Sequence, residues 1–141
     1  MVVHKWILKP GSGWGRSGSL IDMQQAKDEL GRRGEDLAAE FLTGRGLVVL
    51  SRNWRCRRGE LDLVAVDGDR LVVCEVKTRS GTGYGHPAEA VTRSKAARVR
   101  QVTRHWLAEH RVGWCEVRFD VVAVHCPPDG DPTIEHLAGV F

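Results

Sequence analysis

Two short charged segments, joined by an apolar hairpin pattern, constrain the fold of this chain more than any other feature. Residues 59–63 have the sequence Gly-Glu-Leu-Asp-Leu, and residues 74–77 have the sequence Cys-Glu-Val-Lys. Apolar residues lie on either side of an Asp-Gly-Asp sequence at residues 67–69, which is typical of a tight turn. The pattern therefore predicts a β-hairpin with strands over residues 61–66 and 71–76.

The position of the turn decides which residues of the hairpin lie opposite each other. If the Gly-Asp pair forms a two-residue turn, Asp62 lies directly opposite Glu75. A turn one residue earlier would instead place Asp62 opposite Val73, with Glu75 diagonal to it. Side chains alternate between the two faces of a strand, so Leu61 is predicted to share a face with Leu63, and Asp62 to lie on the other face.

Two carboxylates in this arrangement require a positive charge between them. Directly opposed side chains have Cβ atoms about 5 Å apart, and like charges at that distance destabilise a sheet. Lys77 is expected on the same face as Glu75, and a divalent cation is the other candidate for the neutralising charge. A structural ion pair among Asp62, Glu75 and Lys77 is the alternative interpretation.

The remaining pattern predicts an α/β protein. Apolar periodicity indicates helices over residues 24–43 and 88–109, and apolar runs indicate strands over residues 47–54 and 117–124. Residues 134–140 are expected to add an edge strand or to pack as a tail. Because both faces of the hairpin are mainly apolar, we expect a three-layer sandwich with a mixed central sheet flanked by helices.

One domain is expected, because 141 residues suffice for a single hydrophobic core. Residues 11–19 are rich in Gly and Ser. Residues 1–22 are therefore predicted to be a flexible tail without secondary structure, dispensable for folding or upstream of a second start at Met23. Residues 23–141 are predicted to form the domain.

The distribution of charge is more informative than its total. Lys and Arg number 21 against 18 Asp and Glu, so the net charge is only +3. Residues 45–58 and 93–104 nevertheless contain five basic residues each and no acidic residue. Such a local excess indicates a polyanionic partner, and two solvated faces are the alternative interpretation.

The sequence shows no signal for secretion or for a zinc site. The apolar run at residues 6–8 is too short for a signal peptide or a membrane span, so we expect a cytoplasmic protein. The four cysteines show no paired spacing, and the six histidines show no ligand spacing. Neither residue type therefore predicts a zinc site.

The two charged segments together resemble the Asp…Glu-x-Lys signature of the PD-(D/E)xK nuclease superfamily. The chain is more closely similar to the YraN-like family of small bacterial proteins of that fold. The supporting segments are residues 31–38, 53–62, 75–79 and 89–91, together with Lys95. The resemblance covers residues 28–125, and Leu61 stands where the superfamily signature has proline.

The resemblance implies a restriction-endonuclease-like fold and hydrolysis of phosphodiester bonds in nucleic acid with Mg²⁺ or Mn²⁺. It implies that Asp62, Glu75 and the carbonyl of Val76 hold the metal ion, with Glu35 as a further ligand, direct or through water. Lys77 would orient or help to activate the attacking water. The predicted catalytic residues are thus Asp62, Glu75, Lys77 and Glu35.

Nucleic acid is the expected partner, with DNA favoured over RNA, and no membrane partner is expected. The residues predicted to contact nucleic acid are Arg52, Arg55, Arg57, Arg58, Arg79, Arg93 and Lys95. Related nuclease folds often act as dimers, so a homodimer is a further expectation. The alternatives are a catalytically silent domain that docks on nucleic acid and an accessory domain whose main partner is another protein.

Overall fold

A mixed sheet between two helices organises the protein in its computed structural model, which describes residues 3–7, 20–81 and 85–141. The helices are α1 (Leu20–Gly44) and α2 (Arg93–Glu109). The strands are β1 (Val3–Ile7), β2 (Val48–Cys56), β3 (Gly59–Asp67), β4 (Arg70–Arg79), β5 (Val117–His125) and β6 (Thr133–Leu137). In the sheet they lie in the order β1-β6-β5-β4-β3-β2. Among the strands of the described residues, only β4 and β5 run parallel, so the predicted α/β class with a mixed sheet is confirmed.

The predicted hairpin is confirmed in position and in register. Strands β3 and β4 pair from Asp67 opposite Arg70 to Leu63 opposite Cys74. Gly68 in the turn has a φ of 65°, in the left-handed region that glycine adopts without strain. The earlier turn is excluded, because the partner of Val73 is Val64.

Each face of the sheet is covered by one helix. On one face, Leu63, Val72 and Cys74 pack with Phe41 and Leu42 of α1. On the other face, Val64 and Val73 pack with Val99, Val102 and Trp106 of α2. The apolar residues on both faces of the hairpin are therefore buried in two separate clusters, as predicted.

The predicted face of Leu61 is wrong. Leu61 is buried in the α2-side cluster with Val64, not with Leu63 on the α1 side. In the neighbouring strand, Asn53 falls between the partners of Leu63 and Leu61 and has a φ of 50°, which is uncommon for a residue other than glycine. The simple alternation of side chains fails beside this locally irregular backbone.

The predicted element boundaries need three corrections. Helix α1 begins at Leu20 instead of residue 24. A 3₁₀ turn over Pro87–Ala90 occupies the predicted start of the second helix, and α2 begins at Arg93 after the capping residue Thr92. Strand β6 is neither an edge strand nor a tail, because β1 pairs with its outer side.

The N-terminal residues were expected to lack secondary structure, and this is wrong for Val3–Ile7. Strand β1 supplies backbone partners to the side of β6 that faces away from β5, where N–H and C=O groups would otherwise be unpaired. The Gly- and Ser-rich residues 11–19 lie outside the described residues. That residues 1–22 are dispensable for folding stays a prediction.

A buried ion network ties the C-terminal segment to the sheet. Asp120 on β5 is fully buried, and both of its oxygens accept hydrogen bonds from Arg118 at 2.9 Å. Nε2 of His136 lies 2.7 Å from Oδ2, and the N–H of Gly139 donates to Oδ1 at 2.9 Å. Burial alone would raise the pKa of Asp120, but these hydrogen bonds outweigh burial and hold it below its ordinary value.

None of the helices within the described residues is long and apolar enough to cross a membrane.

Candidate active site

The candidate site lies where strands β3 and β4 part. Their backbone pairing ends at Leu63 and Cys74, and the next residues are Asp62 and Glu75. Beyond the last pair, the N–H of Val76 donates a hydrogen bond to Oδ2 of Asp62 at 2.9 Å. The carboxylate of Asp62 therefore takes the place of a backbone carbonyl in the gap between the strands.

Val76 presents both of its backbone groups to this gap. In a strand, the N–H and the C=O of one residue point to the same side. Since the N–H of Val76 bonds to Asp62, its carbonyl faces the same gap. A carbonyl and a carboxylate are both the kind of oxygen ligand that Mg²⁺ prefers.

Glu75 is buried between two lysines. It is only 8% exposed, and Nζ of Lys77 lies 3.5 Å from its Oε1. Nζ of Lys95 forms a closer ion pair with the same oxygen. Lys77 comes from the same strand, as predicted, whereas Lys95 comes from α2. A carboxylate as buried as this is costly unless paired, so the two ammonium groups offset its desolvation.

The start of α2 brings Lys95 to Glu75. Oγ1 of Thr92 accepts a hydrogen bond from the N–H of Lys95 at 3.2 Å, which caps the helix and places Lys95 in its first turn. Ala96 and Val99 are buried and hold this end of α2 against the sheet. The sequence predicted Lys95 only as a nucleic-acid contact. Threonine is a common residue at the N-terminal cap of a helix, so Thr92 is the signal that could have located the helix start and thus Lys95 in its first turn.

Glu35 approaches the gap from α1. Its neighbour Gly34 is buried, and a Cβ atom on Gly34 would lie 1.8 Å from Oγ1 of Thr78 on β4. Glycine at this position therefore allows α1 to lie directly on β4. Oε2 of Glu35 accepts a hydrogen bond from Nδ2 of Asn53 at 2.8 Å, so Asn53 holds the carboxylate in place.

The charges in this gap act on one another. The pKa of Asp62 is raised to about 7, first by burial and then by the charge of Glu75. Glu35 and Glu60 raise it further, and the hydrogen bond from Val76 opposes the shift. Three acidic residues thus lie close enough to affect Asp62, which makes the gap attractive to a cation.

The two lysines respond in opposite directions. The pKa of Lys77 is lowered, first by burial and then by the neighbouring Lys95, against the attraction of Glu75. Burial also acts to lower the pKa of Lys95, but its ion pair with Glu75 outweighs burial, so the net shift is upward. Of the two, Lys95 holds its proton more firmly against Glu75.

The donor set suits a hard cation with few protein ligands. Within the described residues, no group of three or more His, Cys, Asp and Glu side chains is arranged to hold a metal ion. Two carboxylates, from Asp62 and Glu75, and the carbonyl of Val76 are the oxygen groups that border the gap. Mg²⁺ is bound in this way, through one or two carboxylates with water and substrate phosphate at the other positions. Glu35, already bonded to Asn53, fits a contact through water.

A cleft of about 490 Å³ opens beside the gap, between α1 and the end of β4. Its lining residues are Lys27, Leu30, Gly31, Glu35, Val76, Lys77, Thr78, Arg79 and Ser80. Three of these carry positive charge and only Glu35 carries negative charge. The cleft can therefore receive an anion directly beside the carbonyl of Val76.

The two basic stretches of the sequence meet in space. A Cβ atom on Gly59 would lie 3.2 Å from Cγ2 of Val102 and 3.6 Å from Cδ of Arg98, so the β2–β3 hairpin rests on α2. Arg57 and Arg58 at the hairpin tip are exposed, and within residues 20–81 and 85–141 no ion pair engages their side chains. These arginines and Arg98 thus lie on adjoining elements of one surface.

Other predicted nucleic-acid contacts are engaged within the protein. Arg52 forms an ion pair with Asp36, and Nε of Arg55 lies 3.1 Å from an oxygen of Glu60. Both pairs are largely exposed, so their net contribution to stability is small and either arginine remains available to a phosphate. Arg79 and Arg93 were also predicted to contact nucleic acid. Arg79 lines the cleft, and Arg93 is exposed at the start of α2.

Residues 34–124, from Gly34 of α1 to Val124 of β5, match a known group of proteins. The chain belongs to the uncharacterised protein family UPF0102. Membership of this family, the YraN-like family identified from the motifs, is confirmed. The matched range contains Asp62, Glu75 and Lys95, together with the cleft residues of β4.

Relatives in UPF0102 cover most of the chain. A UPF0102 protein of Frankia casuarinae is 57% identical over 117 residues, which are 83% of this chain and 99% of the relative. A relative from Acidothermus cellulolyticus is 54% identical and covers 82% of this chain and 96% of its own length. A relative from Nocardia farcinica is 51% identical, with 89% of this chain and 98% of the relative covered.

Proposed function

We propose that this protein is a metal-dependent phosphodiesterase of restriction-endonuclease-like fold that cleaves nucleic acid, DNA rather than RNA, in the cytoplasm. The observation that carries the proposal is the parting of β3 and β4 at Asp62 and Glu75, with the carbonyl of Val76 in the same gap. Two carboxylates and a carbonyl around one gap are a donor set for Mg²⁺ or Mn²⁺.

Asp62, Glu75 and the carbonyl of Val76 would hold the ion, and Glu35 would contact it through water. When bound, the ion supplies charge stabilisation at the phosphate and lowers the pKa of a water ligand. Lys77 lies at the edge of the gap, where its ammonium group orients the attacking water and offsets negative charge that develops on the phosphate.

The surroundings of the gap support a polyanionic substrate. Lys27 and Arg79 flank the cleft in which a substrate phosphate would lie. The surface formed by Arg57, Arg58 and Arg98 would contact more distant phosphates. A homodimer that cuts two strands is compatible with this arrangement and is part of the proposal.

The test is a panel of duplex, single-stranded, flap and junction DNA and of RNA, incubated with Mg²⁺, with Mn²⁺ or with neither. We expect cleavage of at least one DNA substrate only with metal, and loss of cleavage in Glu75→Gln. Glu116→Gln is the matched control, because it removes the same charge from an exposed residue that pairs with Arg70 at the far end of β4. Cleavage that persists without metal or in Glu75→Gln would contradict the proposal.

A catalytically silent nucleic-acid-binding domain is the second candidate. The observation that favours it is the ion pairing of Glu75, whose charge is already offset by Lys77 and Lys95 without a metal ion. Binding to duplex DNA that weakens with salt, without cleavage of any substrate in the panel, would support this candidate.

A further inference from the structure

The contact between Lys95 and Glu75 has a consequence for how a metal ion enters the site. We propose that Lys95 is a counter-ion that a divalent cation displaces from Glu75, and that this displacement couples metal binding to the binding of a phosphodiester. The inference rests on the proposed function, since it concerns the same carboxylate. Lys95 would then control metal binding at Glu75, in addition to making the contact with nucleic acid predicted for it.

Both lysines contact the same oxygen of Glu75. Nζ of Lys77 and Nζ of Lys95 both lie against Oε1, and the side chain of Glu75 is only 11% exposed. A cation that binds Glu75 must therefore approach a carboxylate that already carries two positive neighbours. Like charges repel strongly at such separations in a partly buried site.

A divalent cation would reverse the net charge of the gap. Asp62, Glu75 and Glu35, when ionised, carry three negative charges, and Lys77 and Lys95 carry two positive charges. Adding a divalent cation leaves an excess of one positive charge. Either a lysine leaves, or an anion enters with the metal, and a phosphodiester is the anion that the cleft and the basic surface can receive.

Lys95 is the lysine that we expect to leave. Lys77 follows Glu75 by two residues on the same strand, so the two side chains leave β4 on the same face. Lys95 belongs to a different element, in the first turn of α2, and its side chain is 29% exposed against 23% for Lys77. Its four-carbon stem allows the ammonium group to swing from Glu75 toward solvent, where a substrate phosphate would meet it.

The displacement makes the two ligands cooperative. Free protein should bind the metal weakly, because the metal must first separate Lys95 from Glu75. A bound phosphate gives the released ammonium group a new partner, so metal affinity should rise when nucleic acid is present. By linkage, the metal must raise the affinity for nucleic acid by the same factor.

The experiment measures Mn²⁺ affinity by titration calorimetry of the full chain, alone and with a phosphorothioate DNA duplex that resists cleavage. For the unmodified protein we expect the duplex to tighten Mn²⁺ binding about tenfold, within the usual range of coupling factors. Lys95→Gln should bind Mn²⁺ about tenfold more tightly than the unmodified protein in the absence of duplex, and the duplex should then have little further effect. Lys95→Met, which keeps the apolar stem, should behave in the same way.

Arg104→Gln is the matched control, because Arg104 is an exposed residue of the same helix and the substitution removes the same charge. If Lys95→Gln and Lys95→Met bind Mn²⁺ no more tightly than Arg104→Gln, the inference is overturned and the metal site of the proposed function stands. If neither the unmodified protein nor any variant binds Mn²⁺, with or without duplex, both are overturned. Binding of Mn²⁺ by the Lys95 variants alone would support the inference.

Discussion

A methyl group added at Gly34 would meet the side chain of Thr78 across the contact between α1 and β4. The added Cβ would lie 1.8 Å from Oγ1 and 2.7 Å from both Cβ and Cγ2 of Thr78. Rotation of the threonine moves Oγ1 and Cγ2, but its Cβ is fixed to the backbone of β4. Gly34→Ala must therefore push α1 away from the sheet.

The size of the effect follows from two opposing contributions. Overpacking of a well-packed contact costs about 1–3 kcal/mol, and alanine in place of glycine stabilises a helix by about 1 kcal/mol. Gly31, three residues earlier on α1, has no atom within 4 Å of its added Cβ, so Gly31→Ala shows the gain alone. The free energy of unfolding of Gly34→Ala should thus fall about 1–3 kcal/mol below that of Gly31→Ala.

Thermal unfolding followed by circular dichroism measures this difference. At roughly 3–4 °C per kcal/mol for a chain of this length, the two midpoints should differ by roughly 3–12 °C. The shift of α1 should also weaken Mn²⁺ binding, because Glu35 follows Gly34 in the helix. Thr78→Gly removes all three contacting atoms, so a double-mutant cycle should give a clear coupling energy. Equal midpoints for the two alanine variants, or a coupling energy of zero, would refute the close contact between α1 and β4.

Three further predictions address the charged groups and the cleft. The folded-state pKa of Asp62, about 7, lies above its ordinary value of 3.8, so metal-free protein should lose up to roughly 4 kcal/mol as the pH rises from 4 to 7. Asp62→Asn should remove this slope in urea unfolding, and an unchanged slope would contradict the assignment. Asp120→Asn should cost about 3–5 kcal/mol at pH 7, because Arg118 and His136 both lose the buried carboxylate with which they pair. Because the pKa of Asp120 is lowered, its contribution is present above pH 3.8 and is lost as the pH falls through the folded-state pKa, so the variant and the unmodified protein should converge in acid. Gly31→Leu should fill the cleft, and we expect weaker DNA binding with unchanged Mn²⁺ affinity; unchanged DNA binding would place the substrate elsewhere.

The sequence alone was sufficient for the β3–β4 hairpin and for the neighbourhood of Asp62 and Glu75. An Asp-Gly-Asp turn sets the register of a hairpin through local backbone geometry, and the observed pairing of Leu63 with Cys74 follows from that turn. Because both faces of the hairpin are apolar, each face must be buried against another element, and α1 and α2 are those elements. These features depend on residues close together in the chain, so the pattern carries them.

Only the tertiary structure decided which distant residues complete the site. Lys95 reaches Glu75 because α2 packs on the sheet at a particular position, and no local pattern encodes that distance. Glycine has a low helix propensity, yet Gly34 is the residue that lets α1 lie against Thr78. Strand β1 pairs with β6 near the other end of the chain. In each of these three cases the deciding contact joins segments far apart in sequence, where packing and backbone pairing override local propensity.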